Sequence, residues 1–177
     1  MTEGLGPAPI HRVLVAFGSN TGDRLQNIEK SLAFIREIPT TQIRAQSQFK
    51  EYPAYGVAEP QPPFLNGVLI LETELLPLDL LEKLQIIERR LGRNQKGDMA
   101  PRPIDLDILS FGEGVFIAGK TLTVPHPRLH ERRFVLEPIV EILPDWVHPR
   151  LKKTARELLH ELERENGKCG LPDRRES

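Results

Sequence analysis

The chain has 177 residues, 39% of them hydrophobic, and its 24 Lys plus Arg nearly balance 25 Asp plus Glu, for a formal net charge of -1. That length suits one globular domain that buries about 70% of its unfolded surface, so no disulfide or metal is needed to hold a core together. The charge balance excludes a global field for nucleic acid or membrane, so any polyanion site must be local.

A single cysteine, Cys169, excludes an internal disulfide and suits a reducing compartment. The opening "MTEGLGPAPIHR" lacks the apolar core of a secretory signal, and no run approaches the roughly 18 apolar residues of a membrane span. The expectation is a cytoplasmic protein, monomeric, with no nucleic-acid or membrane partner. It is read as a single domain over residues 1–177, with its core at about residues 12–166 and loose tails at both ends.

In chain order, "RVLVAFGS" reads as a strand apolar on both faces and stopped at Gly18. Asp23 and Gln26 resemble a capping box for a helix whose Leu25, Ile28, Leu32 and Ile35 recur at spacings of three and four. From Thr41 to Tyr52 the pattern alternates, with Ile43, Ala45, Ser47 and Phe49 on one face of a half-exposed strand. A proline-rich loop, "YPAYGVAEPQPP", leads to "FLNGVLILET", a mostly apolar stretch suited to a central strand. Pro77 opens a helix with the stripe Leu80, Leu84, Ile87 and Leu91, and Gly92 is its natural stop. The polar loop "RNQKGDMAPRP" precedes a last core strand, "IDLDILSF".

Strand, helix, strand, strand, helix, strand is the ferredoxin-like βαββαβ plan, an α+β fold with an antiparallel sheet and both helices on one face. The remaining third is expected to decorate that core. Short helical turns near Arg132 to Ile142 should be interrupted at Pro138, and Thr154 with Glu157 caps a final helix ending near Gly167.

"GVFIAGKT", Gly114 to Thr121, matches the P-loop pattern, but its context fails. A P-loop leaves a strand and opens a helix, whereas here an apolar β-type run is followed by "TLTVPHP", with two prolines where a helix should begin. A strand or hairpin is the better reading. His126 and His130 are not a zinc pair either, because Pro127 lies between them and no HExxH glutamate is present.

The chemistry concentrates in "PRPIDLDIL". Ile104, Leu106 and Ile108 alternate with Asp105 and Asp107, so on a strand both carboxylates leave the same face, about 6.7 Å apart at Cα. That geometry suits a pair of magnesium ions, which take hard oxygen ligands and fill their remaining positions with water and phosphate. Arg102, Lys96 and Arg93 supply cations for a triphosphate, from a loop bounded by Gly and Pro as lids are. On the preceding helix Gln85 and Glu88 are neighbours off the apolar stripe, placed to hydrogen-bond a ribose or base. His126, Arg132 and Arg133 follow the hairpin, and Tyr55, Phe64, Asn66 and Phe134 offer aromatic faces and an amide for a flat heterocycle.

At these residues the sequence resembles the 6-hydroxymethyl-7,8-dihydropterin pyrophosphokinases of folate biosynthesis. The carrier is "DMAPRPIDLDIL", supported by "AFGSNTGDR", "FLNGVLILET", "ERRLGR" and "LTVPHPRLHERRFVLEPI", over roughly Val13 to Leu143. The resemblance implies an ATP-dependent diphosphotransferase with a ferredoxin-like fold and ATP as co-substrate. Asp105 and Asp107 would hold two Mg2+ ions and, with Arg93 and Arg102, form the catalytic set. Gln85, Glu88, Lys96, His126 and Arg132 would bind ATP, and Tyr52, Pro53, Tyr55, Phe64, Asn66 and Phe134 would hold the pterin. Where some members carry tryptophan in the lid and tyrosine after the histidine, this chain has Met99 and Pro127, and Phe64 replaces a tyrosine found elsewhere.

Two rivals are weaker. A nucleotidyltransferase pairs its Asp-x-Asp with a Gly-Ser close before it, whereas Gly18 and Ser19 lie nearly a domain away. A ferredoxin-like RNA-binding module would carry an RNP-type aromatic run, which the sequence lacks.

Overall fold

The computed structural model describes residues 8–57, 59–93 and 100–168. Lys96, Asp98 and Met99 of the expected lid, and Cys169 with the tail, lie outside the described residues.

Four core strands lie in the order β2 (Thr41–Gln46), β4 (Phe64–Thr73), β1 (His11–Ser19), β5 (Asp105–Phe111), all antiparallel, with β3 (Lys50–Tyr52) also pairing with β4. Helices α1 (Arg24–Arg36) and α2 (Pro77–Arg90) supply Ile28, Leu32, Ile35, Leu80, Leu84 and Ile87 to a core built with Val13, Val15, Phe17, Leu69, Leu71, Leu106 and Ile108. The strand–helix order therefore closes as the ferredoxin-like sheet expected. Local signals hold at the helix ends: Asp23 accepts from the Gln26 backbone N–H, Pro77 occupies the first turn of α2, and Gly92 stops it at a φ of 96°. Leu25, counted in the α1 stripe, is 46% exposed at the helix start.

The C-terminal third does more than decorate. After the hairpin β6 (Phe116–Ala118) and β7 (Leu122–Val124), the 3-10 turn Leu129–Glu131 and helices α3 (Arg133–Ile142) and α4 (Ala155–Lys168) cover the other face of the sheet. Leu129, Val135, Leu136, Ile139, Ala155 and Leu158 bury Leu14, Val68, Ile70 and Leu109 in a second core. This explains why β1 and β4 read as apolar on both faces. The would-be P-loop is the β6–β7 hairpin, with Gly119 at a φ of 53° in its turn. Thr154 and Glu157 form the reciprocal cap of α4.

Three readings need correction. Gly18 does not stop β1, which runs on to Ser19 with Gly18 paired on both sides. Thr41 to Tyr52 is two strands, and a bulge between Ile43 and Ala45 reverses the faces, so Ile43 packs in the first core and Ala45 in the second. Pro138 does not interrupt α3. It lies buried within a continuous helix, where its missing N–H affects the carbonyl of Phe134 in the first turn.

Candidate active site

One end of the second face holds most of the predicted residues. In the register of the sheet, Lys50 pairs with Asn66, Asn66 with Gly18, and Gly18 with Asp105. Directly opposed residues project to the same face, so Asn66 and Asp105 rise from the strands on either side of a glycine. The next row on that face is Val68, Ala16, Asp107. Gly18 lies buried under the Asn66 amide and the Phe64 ring, and Ala16 is partly exposed, so small residues on β1 separate an amide on one flank from two carboxylates on the other. Asp105 and Asp107 leave the sheet together, as their alternation with buried Leu106 and Ile108 predicts.

Cations surround the carboxylates. Arg93, 8% exposed, donates to Asp105 Oδ1 and, at 2.8 Å, to Glu88 Oε1. Burial works against the Arg93 charge, but Asp105, Glu88 and Asp107 outweigh it and raise its affinity for its proton. Arg102 Nε lies 3.3 Å from Asp105 Oδ2. Arg132 feels burial first and then repulsion from Arg128, which lower its pKa, while Asp107 and Asp105 oppose the shift.

Glu88 is 2% exposed and also accepts from the Leu106 backbone N–H at 2.8 Å. It is therefore on the buried side of α2, not off the apolar stripe as its spacing suggested. Gln85, its predicted neighbour at the nucleotide, is partly buried.

His126 follows the hairpin, its backbone N–H donating to the Leu109 carbonyl at 2.8 Å beside the carboxylate strand. Burial, then Arg132 and Arg128, push its pKa down to about 4, so the ring is neutral at pH 7. Its Nδ1 accepts from the Arg128 backbone N–H at 3.1 Å, which assigns the ring proton to Nε2 and makes that nitrogen a donor.

The aromatic side chains gather on the amide flank. Tyr52 pairs with Phe64 across the β3–β4 ladder, and the Tyr52 and Tyr55 rings lie 6.2 and 6.4 Å from that of Phe134. Arg102 sits 5.2 Å over the Phe64 ring and Arg132 sits 5.6 Å over Phe134. Asn66, 8% exposed, donates from Nδ2 to the Phe17 carbonyl at 3.3 Å. Pro53 is exposed at the loop edge, and Tyr55 is 56% exposed.

Two residues absent from the sequence-based set brace this arrangement. Asn20, 1% exposed, accepts from the Arg102 backbone N–H at 2.8 Å and donates from Nδ2 to Gln61 Oε1 and the Pro62 carbonyl. It joins the lead-in of β5 to the proline-rich loop. Glu137 accepts from the Tyr52 hydroxyl at 2.6 Å. Only the run "AFGSNTGDR" hinted at Asn20, and Glu137 resembles any charged helix residue. A separate cavity of about 990 Å³, lined by Arg12, Leu14, Ser110, Leu143 and Trp146, lies toward the other end of β1 and contains none of the predicted residues.

Among the described residues no group of three or more His, Cys, Asp or Glu side chains is placed to hold a metal. The Asp105 and Asp107 pair fits magnesium, which needs few protein carboxylates when phosphate oxygens are present, and not a closed zinc site.

The chain is 34% identical over 157 residues to a 2-amino-4-hydroxy-6-hydroxymethyldihydropteridine pyrophosphokinase from Synechocystis sp., covering 89% of this chain and 79% of that one. It is 42% identical over 136 residues to the protein of that name from Pseudomonas aeruginosa, covering 77% of this chain and 83% of the relative. A crystal structure of Plasmodium falciparum HPPK-DHPS with pteroate superposes with a TM-score of 0.74 at 14% identity, over 94% of this chain and 45% of that one, which supports the fold. The profile of the 7,8-dihydro-6-hydroxymethylpterin-pyrophosphokinase family matches residues 14–144, and the chain belongs to that family.

Proposed function

We propose that this chain transfers the β,γ-pyrophosphoryl group of ATP to the hydroxymethyl oxygen of 6-hydroxymethyl-7,8-dihydropterin, giving AMP and the pterin diphosphate, in folate biosynthesis. The observation that carries this reading is the row Asn66, Gly18, Asp105, in which an amide beside aromatic rings and a carboxylate beside arginines share one face of the sheet. The family and the names of the relatives support the same reaction.

The pterin lies between Phe64 and Phe134, with Tyr52, Pro53 and Tyr55 at its edge and the Asn66 amide against its ring polar atoms. ATP lies on the opposite flank, with Gln85 at the nucleoside and Arg93, Arg102, His126 and Arg132 toward the phosphates; Glu88, buried beneath them, holds Arg93, and Lys96, outside the described residues, is proposed as a further phosphate contact. Asp105 and Asp107 would hold two Mg2+ ions, which when bound supply charge neutralisation for the triphosphate. The pterin oxygen attacks the β-phosphorus in line, the bond from that phosphorus to the α,β-bridging oxygen breaks, and the bridging oxygen leaves on AMP. The hydroxyl proton is lost in the same step, and Asp107 is proposed to accept it. Neutral His126 contributes an Nε2–H donor without adding charge, and the buried arginines stabilise the negative charge on the transferred group.

The reading includes a monomer in the cytoplasm; the balanced charge and single cysteine support it, and no described helix is long and apolar enough to cross a membrane. The test is calorimetric titration with a non-hydrolysable ATP analogue and magnesium, then the pterin, beside product analysis with ATP. Pterin uptake after nucleotide, with AMP and a diphosphorylated pterin as products, is expected. Pyrophosphate release, or no pterin binding, would contradict it.

A further inference from the structure

Phe134, Glu137 and Glu141 occupy positions i, i+3 and i+7 of α3 and so share one face of that helix. Both carboxylates reach the strand edge that leads into the proline-rich loop. Glu137 Oε2 accepts from the Tyr52 hydroxyl at 2.6 Å, and Glu141 Oε1 accepts from the Gln48 backbone N–H at 2.8 Å. Arg133 Nε donates to the second oxygen of Glu137 at 2.6 Å, orienting the carboxylate. Between these two attachments lies β3, whose Tyr52 faces Phe134 at 6.2 Å and pairs with Phe64.

We infer that Glu137 is a positioning residue for the pterin, holding Tyr52 against Phe134 and thereby setting the spacing of the aromatic flank that receives the flat ring. The inference rests on the assignment of that flank to the pterin. A hydroxyl bonded to a carboxylate makes a short, charge-assisted bond, stronger than one between neutral groups. It engages the polar end of Tyr52, so the side chain presents its ring to Phe134. Glu141 adds the second anchor, fixing the backbone four residues upstream. The helix that carries Phe134 and the strand that carries Tyr52 then hold a fixed separation. Recognition on this side depends on stacking distance, and the hydrogen-bond readout is left to Asn66.

The test uses the full chain and steady-state kinetics with each substrate varied. Glu137→Ala and Tyr52→Phe are each expected to raise the KM for the pterin about tenfold, the scale of one charge-assisted hydrogen bond, while the KM for ATP moves by less than about twofold. The double variant is expected to be no worse than either single one, because both remove the same bond. Glu137→Gln, which keeps an acceptor oxygen, should recover most of the loss. Unchanged pterin KM in both single variants, additive losses in the double, or no recovery by Gln would each overturn the inference while leaving the reaction intact. Failure of the unaltered chain to form AMP from ATP and the pterin would overturn the reaction and this inference together.

Discussion

Asn66 and Asp105 face each other across Gly18, each directly paired with it in the sheet. A Cβ at Gly18 would lie 2.4 Å from Asn66 Nδ2 and 3.3 Å from Phe64 Cδ1. The amide is the movable end of a side chain, so it would swing away and lose its bond to the Phe17 carbonyl. Gly18→Ala should therefore weaken pterin binding more than it lowers stability. Gly67 is the contrast, because its Cβ would lie 2.3 Å from Cζ of the Phe17 ring, packed in the helix-side core. Gly67→Ala should cost stability, about 1–3 kcal/mol by overpacking. Thermal unfolding beside pterin titration separates the two, and equal effects on both readouts would contradict the placement of Gly18.

Asn20 holds two loops with one amide. Asn20→Ala leaves the Arg102 N–H without its acceptor and frees the Gln61–Pro62 segment that leads to Phe64. The expected cost is about 1–3 kcal/mol for the buried group left unsatisfied. Both substrate KM values should rise. Asn20→Asp keeps the acceptor for Arg102 but lacks the donor, so its defect should fall mainly on the pterin side. Equal KM values for Asn20→Ala and the unaltered chain would remove Asn20 from this role.

His126 makes stability pH-dependent in a defined window. Its folded pKa, about 4, lies below the ordinary 6.5, set by burial and by facing Arg132 and Arg128, with Asp105 partly opposing. As pH falls through 6.5 the unfolded chain binds the proton first, so stability holds above about pH 6.5 and declines from there toward about pH 4. His126→Asn should flatten part of that decline. His148, also shifted down by burial and then by His130 and Arg150, retains some slope. Urea unfolding of the ligand-free protein at pH 7.5 and pH 5 measures it, and an unchanged slope in the variant would refute the assignment.

The features legible in the sequence are those set by neighbours along the chain. Alternation placed Asp105 and Asp107 on one face, Pro77 and Gly92 bounded α2, and the prolines after "GVFIAGKT" distinguished a hairpin from a P-loop. What was missed depends on partners far away in sequence. Glu88 looks like a surface residue by local spacing, yet the Leu106 N–H and Arg93 draw it inward from strand β5 and the loop before it. The bulge at Arg44 shifts the pairing of β2 against β4, which alternation alone does not register. Pro138 lies buried in α3, whose packing on the sheet in a second core is not visible from local spacing. Asn20 bonds Arg102, 82 positions away in sequence.

Magnesium-dependent AMP formation by Asp107→Ala tests the paired carboxylates most directly, with folding checked by circular dichroism. Loss of several kcal/mol of transition-state charge stabilisation predicts a rate lower by about a thousandfold or more, with the fold retained. Turnover within a few-fold of the unaltered chain would show that the acidic flank of this basin does not carry the reaction.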